Sequence, residues 1–133
     1  MLSAMELVER LTRVLEGRAD VHAAWLFGSR ARSTARADSD ADVAVLLAVD
    51  PERGLEQYRF DLAADLAEQI GVTVDLVVLN RAGADLVHRV LRDGILLLDR
   101  DRSHRIAFEV KKRAEYLDMA PVWRAYRRQP PRP

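Results

Sequence analysis

The 133 residues carry 21 basic and 21 acidic side chains, are about half apolar, and include no cysteine. That length makes one domain with a core of its own, and the missing cysteine excludes a disulfide framework or a thiolate metal site. No apolar run approaches a membrane span and the first residues lack a signal-peptide pattern, so a soluble cytoplasmic protein is expected.

Residues 3–16 read as a helix. Ser3 caps it with Glu6 as capping-box partner, Leu7, Leu11, Val14 and Leu15 repeat at helical spacing, and Gly17 stops it. Val21 to Phe27 reads as an interior strand, apolar or small on both faces. His22 near its start is expected to pack or to meet solvent. Gly28-Ser29 follows as a small, flexible pair, and residues 30–37, rich in Ala and Arg, suit a short helix. Asp38-Ser39 turns the chain into a second strand at 42–48.

Pro51 is expected at the first position of a helix over 51–70, with Leu55, Tyr58, Leu62, Leu66 and Ile70 on one face and Gly71 at its end. Val72 to Leu79 is the third strand, with Asp75 its only ionisable residue. Asn80 is expected to cap a helix at about 82–92 that ends at Asp93-Gly94. Ile95 to Leu98 gives a short edge strand. Ser103 is expected to cap a last helix that runs to about Met119 on a stripe of Ile106, Val110, Ala114 and Leu117. Pro121 is expected to kink or end it. Gln-Pro-Pro-Arg-Pro closes the chain.

Charge is unevenly spread. Residues 1–99 hold 11 basic and 17 acidic side chains, and residues 100–133 hold 10 basic and 4 acidic ones. The basic tail suits an acidic protein surface, a nucleic acid or plain solvation.

The stretch from Trp25 to Leu47 carries the chemistry. Side chains two apart on a strand share a face, so Asp40 and Asp42 project together where the second strand begins. Neighbouring carboxylates repel, and a divalent cation removes the conflict; Mg²⁺ favours a few carboxylates plus substrate phosphates. Gly28 lets the backbone approach a ligand, Ser29 and the following N–H groups can hold phosphate, and Arg30 and Arg32 can add charge-assisted contacts. A lone carboxylate inside an apolar strand is costly to bury. Asp75 therefore either meets a donor or joins a metal site with Asp40 and Asp42. These are the parts of a metal-dependent phosphoryl or nucleotidyl transfer site.

Gly28-Ser29, ten residues, then Asp40-Ala41-Asp42 resembles the signature of the DNA polymerase β-like nucleotidyltransferases. The FGSRAR stretch, the SDAD stretch and the short length resemble its minimal, or MNT, branch. The resemblance covers roughly residues 5–100 and less specifically the last helix, which is similar to the C-terminal extension of MNT antitoxins. Many relatives carry Gly near the arginines where this chain has Ser33-Thr34.

The resemblance implies an α/β (α+β) fold: a mixed sheet of about four strands flanked by helices. Residues 1–100 would be the nucleotidyltransferase domain and residues 101–133 its helical extension and tail. It implies two Mg²⁺ ions on Asp40 and Asp42, with Asp75 ligating one or helping to take the acceptor's proton. It implies Gly28 and Ser29 on the triphosphate of ATP. It further implies an antitoxin beside a HEPN-domain ribonuclease toxin, with AMP transferred to a toxin tyrosine, and a possible hetero-oligomer. An antitoxin that works by binding alone, through the last helix with Phe108, Tyr116, Trp123 and Tyr126, stands as the alternative. Direct nucleic-acid binding ranks last, since no DNA-binding motif is present.

Overall fold

A four-stranded mixed sheet in the order β3-β2-β1-β4 forms the frame of the computed structural model, which describes residues 2–32 and 39–128. The strands are β1 (Val21–Phe27), β2 (Ala41–Leu47), β3 (Val74–Val78) and β4 (Ile95–Asp99). β1 runs antiparallel to both β2 and β4, and β2 runs parallel to β3. The helices are α1 (Ala4–Glu16), α2 (Gly28–Ala31), α3 (Leu55–Ile70), α4 (Ala84–Asp93) and α5 (Arg102–Arg127). The α/β class, the mixed sheet and the C-terminal helix are those expected from the sequence. Ser33–Asp38, and with them most of the expected helix at 30–37, lie outside the described residues, as does the closing Gln-Pro-Pro-Arg-Pro.

Strand alternation divides the core in two. Val43, Val45 and Leu26 point to a layer built by Leu7, Leu11 and Leu15 of α1 and Leu62, Leu66 and Ile70 of α3. Ala23, Trp25, Ala44 and Leu46 point to the other face, under Val87 and Val90 of α4 and Phe108 of α5. The five leucines from α1 and α3 are fully buried, and each contributes about 1.5–3 kcal/mol of apolar transfer free energy. Ser3 caps α1 as expected: the Glu6 N–H donates to Ser3 Oγ at 3.1 Å, and the Ser3 hydroxyl donates to Glu6 Oε1 at 3.2 Å.

Several expected boundaries move, some for local and some for tertiary reasons. α3 starts at Leu55 instead of Pro51, because Gly54 takes a left-handed φ of 71° and breaks the first turn. Asn80 caps no helix. Its Oδ1 accepts from Leu47 N–H at 2.8 Å and its Nδ2 donates to Leu47 C=O at 3.1 Å, so its side chain extends the sheet beside β2. The chain makes a 3₁₀ turn over Leu79–Arg81 and α4 begins after Gly83. Asn80→Ala should cost about 1–3 kcal/mol by leaving both Leu47 groups without partners, read as a lower urea midpoint at unchanged slope.

Asp101 rather than Ser103 caps α5; its Oδ1 accepts from His104 N–H at 3.0 Å. His22 of β1 meets His104 of that first turn, Nδ1 to Nδ1, at 2.9 Å. Pro121 neither ends nor stops α5, which continues to Arg127. An interior proline costs a helix about 3 kcal/mol. Contacts on both sides of it hold the helix: Tyr116 stacks on His88 of α4 with centroids 3.7 Å apart, and Trp123 leans on Tyr116 at 5.4 Å. These rings also set the rotation of α5. Of the apolar stripe expected on this helix, Ile106, Val110 and Leu117 are 40%, 58% and 63% exposed, and Ala114 is exposed too.

β3 and β4 are the sheet edges. On the β3 edge, Arg59 of α3 donates from Nε to Leu76 C=O at 3.1 Å and from Nη1 to Glu56 at 2.9 Å.

Candidate active site

The site grows from the alternation of β2 and β3. Asp42 is paired directly with Asp75 in the parallel ladder and with Phe27 in the antiparallel one. Residues level with one another on paired strands share a face. The two carboxylates therefore project together, on the α4 side of the sheet. Asp40 stands two residues before Asp42, just outside the strand and exposed; Asp42 is half-buried and Asp75 exposed.

Electrostatics mark Asp42 as the strained member. Its carboxyl is pushed above the ordinary range, first by burial, then by the charges of Asp75 and Asp40; Arg32 pulls the other way, and a hydrogen bond with Asp75 adds to the rise. Two carboxyl groups bond to each other only with a proton between them. A hard dication can take that proton's place, and one or two carboxylates beside substrate phosphates are what Mg²⁺ takes from proteins. The donor chemistry thus fits. Among the described residues no three acidic or imidazole side chains yet close around a single point.

Gly28 explains how Asp42 reaches this position. Its φ is +72°, and a Cβ placed on it would run into the Asp42 carboxylate. Glycine thus serves twice, in backbone conformation and in space. Ser29 follows in the first turn of α2, partly exposed.

The two arginines part company. Arg32 is exposed beside Asp42, where its charge acts on the carboxylate. Arg30 is 5% exposed and donates from Nε and Nη2 to Ser39 C=O at 3.1 and 2.8 Å. It ties the turn holding Gly28 and Ser29 to the residue before Asp40. Asp93, at the end of α4, is a further carboxylate at the rim. Arg92 holds its pKa low by direct bonds at 2.9 and 3.0 Å, and Arg32 acts on it as well. Nothing in the spacing of the sequence signals Asp93, because β4 folds it back from fifty residues downstream.

Residues 9–103 match the family described as Polymerase beta, Nucleotidyltransferase. The chain belongs to that family. A comparison with curated proteins finds no match. Among solved structures, a toxin–antitoxin complex with AMP-PNP is similar at 28% identity and a TM-score of 0.75, over 90% of this chain and 94% of the other. A structure presented as a minimal nucleotidyltransferase is 33% identical, with a TM-score of 0.57, over 71% of this chain and 95% of its own. An MNT antitoxin bound to a tri-AMPylated HEPN toxin from Shewanella oneidensis has a TM-score of 0.70 at 24% identity, over 92% and 94% of the two chains. At that identity the likeness speaks for the fold alone. Among the described residues no helix is long and apolar enough to cross a membrane.

Proposed function

We propose that this nucleotidyltransferase is an antitoxin that moves AMP from ATP to a tyrosine hydroxyl of a HEPN-domain ribonuclease toxin. The observation that carries the reading is the Asp42–Asp75 pair facing across β2 and β3, with Gly28 opening the space in which Asp42 sits. The similarity to a toxin–antitoxin complex that holds AMP-PNP supports both the nucleotide and the setting.

Each residue then has a task. Gly28 and Ser29 receive the triphosphate, and Arg32 faces its charge. Arg30 acts from beneath, fixing Ser39 so that Asp40 and Asp42 stay in register with that turn. Asp40, Asp42 and Asp75 would hold two magnesium ions, which neutralise charge on the transferring phosphate and make the attacking hydroxyl more acidic. The tyrosine oxygen attacks the α-phosphorus, the bond to the β-phosphate oxygen breaks, and pyrophosphate leaves. Asp75, exposed on the edge strand, would ligate one of the magnesium ions or help to take the phenolic proton. Residues 1–100 form the catalytic unit, and 101–133 its extension toward the partner in a hetero-oligomer. An AMP group near the toxin's RNase motif would block RNA by charge and by volume.

The test is the intact mass of the purified toxin after incubation with this chain and Mg-ATP. A gain of one or more AMP units is expected with wild type and none with Asp42→Ala. A wild type that binds the toxin tightly yet adds no mass would refute the transferase reading. The exposed Ile106, Val110 and Leu117 on α5 favour a second reading, neutralisation by binding alone. In that case Asp42→Ala would still silence the toxin.

A further inference from the structure

Away from the carboxylates, α4 and α5 enclose an open cleft of about 390 Å³. Its lining joins rings to cations: Tyr116, Trp123 and Tyr126 with Arg89, Arg92 and Arg127. Asp85 is the only acidic residue in the lining. Arg92 is engaged by Asp93, whereas among the described residues Arg89 and Arg127 make no ion pair. Tyr126 is 76% exposed. Rings and arginines with little competing acid are the composition of binding hot spots.

The cleft has a direction. It lies over the sheet face that also carries Asp42 and Asp75, since α4 and α5 pack on that face. Arg92 belongs to both regions, because it grips Asp93, and Asp93 answers to Arg32 beside Asp42. A chain lying in the cleft therefore leads toward the catalytic carboxylates.

We propose that this cleft docks the protein acceptor, taking from it a segment in which Asp or Glu flanks an apolar side chain. The inference rests on the transferase reading above and names how its substrate is held. Charge decides the occupant. Arg89 and Arg127 want carboxylates, so two copies meeting cleft to cleft, each presenting the same cations, are repelled. Ring geometry argues against stacked bases. One face of Tyr116 is covered by His88 at an interplanar angle of 6°, and Trp123 crosses it at 55°, so the rings offer a walled slot rather than open parallel faces.

The experiment measures AMP transfer by the full chain against toxin concentration, for wild type, Arg89→Glu/Arg127→Glu and Trp123→Ala. Far-UV circular dichroism and urea midpoints confirm that each variant folds. The KM for toxin should rise roughly tenfold or more in both variants, with kcat and the KM for ATP within about twofold. The rise for the charge-reversed pair should shrink at high salt. An unchanged KM for toxin in both folded variants overturns the proposal. It is equally overturned if the variants handle toxin normally but lose a single-stranded RNA 20-mer that wild type binds. Should wild type bind toxin without transferring AMP, the transferase reading fails by itself. The docking surface is then judged by the same tenfold criterion on Kd. Absence of any toxin binding by wild type defeats both.

Discussion

Asp42→Asn should lower AMP transfer by roughly a thousandfold or more while the fold stays intact. The substitution keeps the shape of the side chain and removes the one carboxylate that touches both others in charge. The same variant has a second, independent signature in stability. The folded-state pKa of Asp42 lies above its unfolded value of about 3.9, because burial, then Asp75 and Asp40, oppose its ionisation. A raised carboxyl favours the protonated folded form. Its stabilising contribution is present below the unfolded pKa and disappears as pH climbs through the raised folded value. Without divalent ions, wild type should lose melting temperature across that window and Asp42→Asn should lose less. Magnesium at neutral pH should restore wild type and leave the variant unmoved. Parallel pH curves for the two proteins, or equal magnesium responses, would contradict the carboxylate cluster.

Gly28→Ala should be nearly as damaging to activity, and for a geometric reason. A residue with a Cβ pays about 1–2 kcal/mol to hold a left-handed φ. Here the Cβ also displaces the Asp42 carboxylate. Misplacing a reacting group by about 1 Å can cost on the order of a hundredfold. The chain supplies its own controls. Gly54 and Gly71 have φ values of 71° and 75°, yet a Cβ at either meets nothing within 4 Å. Gly54→Ala and Gly71→Ala should lower the urea midpoint by a similar strain while keeping kcat. Equal loss of activity in all three would mean that backbone strain alone, not the space beside Asp42, is what Gly28 provides.

The features read directly from the sequence are those that a strand or helix period fixes locally. Leu7, Leu11 and Leu15 are buried because helices repeat, whereas Asp40 falls just outside β2, where strand alternation no longer sets its direction. Asp75 stood out by its isolation in an apolar run, but the burial cost argued for it does not arise, because on the edge strand it is exposed. What stayed hidden depends on what lies opposite. Asn80 looks like a helix cap until β2 is beside it with Leu47 to pair. Arg30 and Arg32 are equivalent in sequence, and only the return of Ser39 separates a buried tie from an exposed charge. On α5 two faces compete, one aliphatic and one aromatic. The aromatic face wins because His88 offers a flat ring to stack on, and Pro121 is carried along by that contact. Asp93 enters the rim only through the antiparallel return of β4.

The outermost place of β3 carries a consequence for traffic around the site. A carboxylate on a border strand has no fifth strand to wall it in, so the approach to Asp75 is open to a bulky visitor. An open border is also an invitation to other chains to add themselves and polymerise. Arg59 closes that route by occupying the outward Leu76 carbonyl with its own guanidinium. The border thus leaves a side chain free to approach Asp75 while one of its outward backbone acceptors is already taken.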